Sequence, residues 1–218
     1  MVACQLRHSS ALFEDIQLES SWLIDQFDLE RGRAVNSYAL LEDSLGQVLE
    51  ALFSSSYNAG SIVISNVVSS RSRYSIIRSI FATKKYYQVL PVWEKFTRCL
   101  VSADKQRNKA VHWLRKFETT GAMDRVLRVF LENPVESATA SNHYRITGEF
   151  LNVSRIYLHD LKNSADYFDL VERALFSFHF WLSFPRLEER LAAQAEFIGS
   201  VETMSNRDFL NDIIAIRI

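Results

Sequence analysis

The segment DKQRNKAVHW runs from Asp104 to Trp113. Three of its side chains could take part in catalysis, and they lie within a span of six residues. They are Arg107, Asn108 and His112. A histidine exchanges protons near neutral pH, so His112 can take a proton from a ribose 2′-hydroxyl or protonate a leaving 5′-oxygen. The arginine fork stabilises charge on a phosphate, and the asparagine can hold that phosphate or orient the histidine. These residue types predict cleavage of RNA without a metal ion.

The position of the segment in a helix decides whether it can receive a phosphate. Asp104 is a residue type that caps helix starts, and as an N-cap it would place Arg107 in the first helical turn. Asn108 and His112 are four residues apart and would share one face. The unpaired N–H groups and the positive pole of a helix start favour an anion. The sequence therefore predicts a phosphate site at the beginning of a helix.

The run Arg-Asn-Lys-Ala-Val-His resembles the signature of the HEPN superfamily, R-x(4–6)-H with a polar residue, often Asn, directly after the arginine. In layout the resemblance covers residues 30–184, with helices before the motif and a hairpin and a long helix after it. It implies an all-α helical bundle with a small β-hairpin. Active members of the family are ribonucleases that dimerise so that two copies of the motif face each other, and many other members are inactive.

For this chain the resemblance implies a homodimeric endoribonuclease from a toxin–antitoxin or defence system, with an antitoxin or regulatory protein as partner. Arg107 would stabilise the transition state, His112 would act as general acid or base, and Asn108 would position the phosphate. Toxins of the family that pair with nucleotidyltransferase antitoxins often carry a tyrosine two residues after the histidine. Leu114 stands there, which does not support regulation by modification of such a tyrosine.

Other interpretations of the same residues stay open. Arg107, Lys109 and Arg115 could be ordinary solvated residues, and His112 could bond a carbonyl at a helix interface. The protein would then be a non-catalytic HEPN-like dimerisation or regulatory module, or an unrelated helical interaction protein. A second match to the pattern, Arg173 to His179, is discounted because alanine follows the arginine and the neighbouring aromatic residues are typical of a core.

A basic stripe is the second candidate feature. Five basic residues and no acidic residue lie between Glu50 and Glu94. Three of the basic residues are spaced by seven, so on one helix they line up and could follow an RNA backbone: Arg71, Arg78 and Lys85. Tyr74 or Tyr86 would then be available for base stacking. The alternative is a solvated face whose acidic partners come from elsewhere in the fold.

The bulk composition favours a single helical domain over residues 1–218, with a core from about 22 to 184 and a C-terminal helical extension over 185–218. Of the 218 residues, 48% are hydrophobic, and only six are glycine and three proline, which disfavours a fold of many tight turns. A chain of this length can bury a sizeable core.

Apolar spacing predicts the individual elements. Helices are expected over about 22–53, over 71–90, and from Pro91 to about Val101, while residues 62–68 could be a strand or a buried helix. Residues 136–142 are predicted to be a polar loop, and 144–150 with 153–158 a small hairpin. A long aromatic helix capped by Asp160 or Asn163 should reach Phe184, where Pro185 would break it. A further amphipathic helix is expected over residues 186–198.

Several function classes are disfavoured. The net charge of −1 gives the protein no overall positive potential that would attract nucleic acid. The two cysteines, Cys4 and Cys99, do not have the spacing of zinc ligands. The start of the sequence lacks the layout of a secretion signal, and no apolar run approaches a membrane span. From these features we expect a reduced, cytoplasmic protein. The sequence has no cofactor-binding or metal-binding motif, so we expect that the protein uses neither a cofactor nor a metal ion.

Overall fold

A computed structural model describes residues 2–53, 59–83, 85–120, 125–183 and 186–216, with side chains described from residue 19 onward except at positions 120 and 125. The chain divides into two compact units. The motif unit comprises Met1–Val35 and Arg107–Ala165 and contains the motif residues. The helical unit comprises Asn36–Gln106 and Asp166–Ile218. About four fifths of the structure is helical, with a small antiparallel sheet, so the predicted mostly helical class is confirmed.

The helices have the following bounds. Before the motif they are α1 (Val2–Phe53), α2 (Ala59–Asn66), α3 (Ser70–Phe81) and α4 (Leu90–His112), with a short 3₁₀ turn over Tyr87–Val89. After the sheet they are α5 (Pro134–Thr147), α6 (Leu158–Ser183), α7 (Leu187–Ala193), α8 (Ala195–Ser200) and α9 (Asn206–Ala215). Helices α1, α4 and α6 contribute residues to both units.

Aromatic side chains fill the core of the helical unit. The ring centroid of Phe96 in α4 lies 5.0 Å from that of Phe178 in α6 and 4.9 Å from that of Phe209 in α9. Phe81 of α3 lies 5.6 Å from Trp93. The predicted buried face of α1 is confirmed, because every one of its positions is buried: Tyr38, Leu41, Leu45, Val48, Leu49 and Leu52.

The motif unit contains the sheet. Strands β1 (Leu114–Thr120), β2 (Arg125–Glu132) and β3 (Arg155–Tyr157) pair antiparallel in the order β1-β2-β3. One face of the sheet packs on a small core built from α1, α4, β2 and α6. Its buried members are Phe27, Ala110, Val129, Leu131 and Leu161.

The predicted polar loop over 136–142 and the first strand of the predicted hairpin, over 144–150, are wrong, because residues 134–147 form α5. This helix is specified by its ends. The Asn133 side chain accepts a hydrogen bond from the Val135 N–H at 3.0 Å, and Pro134 occupies the first turn. Gly148 adopts a left-handed conformation (φ 75°), and its N–H donates to the Tyr144 carbonyl at 2.8 Å. The second predicted strand, over 153–158, contains β3 (Arg155–Tyr157), which pairs with β2. Strands β1 and β2, which are consecutive in the chain, pair antiparallel, and residues 121–124 between them lie outside the described residues.

Other boundaries differ less from the predictions. Residues 62–66 belong to α2, so the helical alternative is confirmed over that part. Helix α3 ends at Phe81 rather than Leu90, and the expected single helix over 186–198 is two helices separated at Gln194. The long aromatic helix is confirmed as α6, but it begins at Leu158, so the prediction of Asp160 or Asn163 as its N-cap is wrong. Asp160 lies in the first turn and accepts a hydrogen bond from the Tyr157 N–H at 2.8 Å. Phe184 and Pro185 lie outside the described residues.

Asp104 lies inside α4 and not at a helix start, so its prediction as an N-cap is wrong. Its carboxylate accepts hydrogen bonds from the hydroxyls of Tyr38 in α1 and, at 3.0 Å, Tyr74 in α3. Burial raises the pKa of both tyrosines, and the nearby Asp104 carboxylate raises each further. Asp104 therefore links three helices of the helical unit.

Replacing Tyr74 by phenylalanine removes one of these bonds and leaves the ring in place. Since a hydrogen bond to a charged group contributes about 1.5–3 kcal/mol, we expect Tyr74→Phe to lower the free energy of unfolding by about that amount. Denaturant unfolding measures it, with Tyr87→Phe, at an exposed tyrosine, as the control. Equal stability of the two variants would contradict this assignment.

The raised tyrosine pKa values also predict how stability depends on alkaline pH. In the unfolded chain a tyrosine ionises near its ordinary pKa of about 10, whereas Tyr38 and Tyr74 stay protonated in the folded protein. The contribution of these two tyrosines to the free energy of unfolding is therefore fully present below about pH 10. It is lost as the pH rises above that value. Ultraviolet titration should show that these two tyrosines ionise only together with unfolding, and their ionisation in a still-folded protein would contradict the prediction.

Candidate functional site

The three motif residues lie in the last turns of α4, which ends at His112. Leu100 and Ala103 are buried in the helical unit, and Ala110 is buried in the core of the motif unit. The helix is continuous from Leu90. The predicted phosphate site at a helix start is therefore wrong. A helix end presents carbonyl groups and the negative pole of the helix, so an anion here has to be held by side chains.

Arg31 of α1 occupies the carbonyl groups at this helix end. Its Nε donates to the Ala110 carbonyl at 2.7 Å, and its second terminal nitrogen donates to the Val111 carbonyl at 3.0 Å. The Trp113 N–H donates to the Lys109 carbonyl at 3.1 Å. The guanidinium thus satisfies two terminal acceptors and places positive charge at the negative pole, which fixes the turn that carries His112.

Arg107 and Asn108 are joined directly. The half-buried Arg107 donates from Nη1 to the Oδ1 of Asn108 at 3.0 Å. Because a guanidinium only donates, the amide oxygen of Asn108 faces it, and the amide N–H donors point away. Asn108 and His112 are both exposed and, four residues apart on α4, share one side of the helix.

Arg107 and His112 are five residues apart, which separates them by about 140° around the helix. Asn108 lies between them in angle and contacts Arg107. Roughly the last one and a half turns of α4 therefore carry a guanidinium, outward-pointing amide donors and an exposed imidazole. This set can hold a phosphate oxygen and exchange a proton beside it.

The cations beside the motif have structural partners. Arg115 forms an ion pair with Asp28 of α1, and its guanidinium lies 5.3 Å from the Phe117 ring centroid. The Lys109 ammonium lies 5.2 Å from the ring centroid of Trp113, which packs against the core of the motif unit. These contacts favour a structural role, and not a role in RNA binding, for Arg115 and Lys109.

The basic stripe does not have the predicted geometry. Arg71 and Arg78 lie on α3, but the helix ends before Lys85, which lies 4.8 Å from the Tyr86 ring centroid. The Arg78 guanidinium pairs with Glu94 at 2.9 Å, as the solvated-face alternative expects. Tyr74 and Tyr86 are buried, so the prediction that they stack on bases is wrong. RNA binding by Arg71, Arg78 and Lys85 stays a prediction.

The discounted match from Arg173 to His179 belongs to the helical unit. The Nδ1 of His179 lies 2.9 Å from the Gln47 carbonyl, so this histidine bonds the backbone of α1. In the aromatic run around it, Phe178 and Trp181 are buried. Phe176 and Phe180 are exposed, with ring centroids 4.8 Å apart.

Arg31 is the residue that sequence reasoning missed. It lies 79 positions from the first carbonyl that it caps, so no local pattern connects the two. A signal was nevertheless present. Phe27 and Ala34 are buried on α1, and Arg31 lies between them on the same face. A charged residue in a core-facing position indicates a specific buried partner.

In the described part of the chain, no three side chains of histidine, cysteine, aspartate or glutamate come together so as to hold a metal ion. Nor does that part contain a helix with the length and apolar character that a membrane crossing needs.

No protein-family model, curated protein or solved structure matches this chain. The resemblance to HEPN proteins therefore stands on the sequence motif and layout alone.

The cap by Arg31 predicts a stability effect. Removing two charge-assisted bonds in Arg31→Ala should lower the free energy of unfolding by about 2–4 kcal/mol, since each hydrogen bond to a charged group contributes about 1.5–3 kcal/mol and such effects are less than additive. Denaturant unfolding tests this against Arg33→Ala, an arginine on the same helix with an exposed side chain. Similar losses in the two variants would contradict the role of Arg31 as a cap.

Proposed function

We propose that this protein is a metal-independent endoribonuclease of HEPN type that acts as a homodimer in the cytoplasm, within a toxin–antitoxin or defence system. The observation that carries the proposal is the end of α4, where Arg107 is bonded to Asn108 and His112, four residues after Asn108, is exposed. The cap by Arg31 holds that helix end in place. An antitoxin or other regulatory protein would be the partner that restrains the activity.

In the proposed reaction the ribose 2′-oxygen attacks the adjacent phosphorus and the bond from phosphorus to the 5′-oxygen breaks. The products are a 2′,3′-cyclic phosphate and a 5′-hydroxyl, so no water is consumed. His112 removes the proton from the 2′-hydroxyl or donates one to the leaving oxygen. Arg107 stabilises the charge on the pentacoordinate phosphorus, and the amide donors of Asn108 hold a non-bridging oxygen.

The proposed reaction needs both a general acid and a general base, and this requirement supports a homodimer. Each motif carries one histidine, so a second copy of the chain would supply the other proton-transfer group, as the family resemblance implies. In the proposal Arg71, Arg78 and Lys85 contact the RNA backbone away from the scissile bond. The exposed position of Arg71 supports this most directly, because Arg78 already has Glu94 as a partner.

A non-catalytic module of the same ancestry is the second candidate. One observation favours it: the motif lies at the carbonyl end of α4, where the helix itself repels an anion. Under this alternative the bond from Arg107 to Asn108 shapes a binding surface and His112 has no chemical role.

Cleavage of RNA by the purified protein in the presence of a chelator tests the proposal. We expect wild-type protein to leave 2′,3′-cyclic phosphate ends. His112→Ala should lower the rate by about 100-fold or more, because positioned acid–base groups contribute about that factor. His159→Ala is the matched control, since His159 is also exposed and lies in the motif unit outside the motif. Thermal unfolding checks that all variants are folded.

Expression in a bacterial host separates the alternatives. Growth arrest with RNA breakdown from the wild type, and neither from His112→Ala, supports the nuclease. If both proteins are equally harmless and the purified wild type leaves RNA intact, the nuclease proposal is overturned and the non-catalytic module is favoured.

A further inference from the structure

Strand β1 is an edge of the sheet. It pairs with β2 on one side, and in the described ranges no strand pairs with its other side. Residues 114–119 are all exposed, including the aromatic side chain of Phe117. An edge of this length presents unpaired N–H and C=O groups and can pair with another strand.

The register with β2 assigns the side chains of β1 to the two faces of the sheet. Phe117 lies opposite Val129, a member of the buried core of the motif unit, so Phe117 is on the core side. Lys116 and Glu118 alternate with it and lie on the other side of the sheet, opposite Phe130 and Arg128.

Strand β1 is regular over this stretch. The register shift lies where Glu118 pairs with Arg128 but Thr119 pairs with Val126, so the extra residue, Leu127, belongs to β2. The pleat of β1 is therefore uninterrupted, and its outer edge is not blunted by a bulge of its own.

The sequence of β1 complements itself in antiparallel pairing about Phe117. In that register Lys116 of one copy lies opposite Glu118 of the other, and the reverse pair forms by symmetry. Phe117 lies opposite Phe117. Opposite charges and aromatic rings directly across an antiparallel pair are both stabilising. A charged edge discourages pairing with unrelated strands, whereas a second copy supplies the matching charge at each position.

We propose that β1 pairs with β1 of a second copy of this chain, joining two three-stranded sheets into one continuous antiparallel sheet. The contact is isologous, as closed dimers require. In this register the two Leu114 residues lie about 20 Å apart along the paired strands, from the strand rise per residue. The two motifs therefore lie at opposite ends of the paired strands. This interface goes beyond the proposed function. A dimer in which the two Arg107–His112 motifs face each other needs a different surface.

Charge reversal with rescue tests the pairing. Lys116→Glu places like charges across both symmetric positions and should weaken association about tenfold. Glu118→Lys should do the same. Mixed in equal amounts, the two variants should form heterodimers with opposite charges restored at both positions. Lys162→Glu, at an exposed lysine of α6 in the motif unit, is the matched control and should associate like wild type.

Sedimentation velocity over a range of concentrations measures association, and native mass spectrometry detects the heterodimer. Hydrogen exchange gives a second readout, since the outward amides of β1 should gain protection as protein concentration rises. Concentration-dependent association that is weakened by either reversal and rescued by mixing supports the proposal.

A protein that stays monomeric at its solubility limit overturns the proposal, as does association that Lys116→Glu and Lys162→Glu affect equally. Failure of the mixed variants to form heterodimers also overturns it. Thermal unfolding confirms that Glu118→Lys, which sits opposite Arg128 of its own chain, remains folded. Because every readout is mass or exchange, the result is independent of whether the protein cleaves RNA.

Discussion

The candidate site depends on the hydrogen bonds from Arg31 to the end of α4. A helix that stops at His112 exposes carbonyl groups and a negative pole, and both would repel a phosphate. The guanidinium of Arg31 occupies two of these carbonyls and supplies the opposite charge. This contact holds the end of α4 on which His112 lies.

The fold class and much of the core could be predicted from the sequence, because helical periodicity is a local signal. The buried face of α1 from Tyr38 to Leu52 follows directly from apolar spacing. Helix α5 could not be found in this way, since none of its residues is buried and its information lies in Asn133 and Gly148. Reading Asp104 as a cap failed because two tyrosines from other helices bind it in the middle of α4.

The same distinction separates the site residues. Arg107, Asn108 and His112 were predicted as site residues from residue type and spacing. They lie at one end of a helix, although not at the end that was expected. The line of Arg71, Arg78 and Lys85 depended on one uninterrupted helix, which stops at Phe81. Arg31 required knowledge of which segment packs beside α4, and that is a property of the folded chain.

The exposure of α5 has a consequence for how its sequence can change. This helix has both ends capped and no buried residue, and in the described part of the chain its hydrogen bonds lie within residues 133–154, including one from the Ser154 N–H to Glu136 at 2.8 Å. Its outward side chains are under little packing constraint, so mutations there would cost the core nothing. Such a segment can acquire new surface chemistry, for recognition by another molecule, while the sheet and the motif beside it stay unchanged.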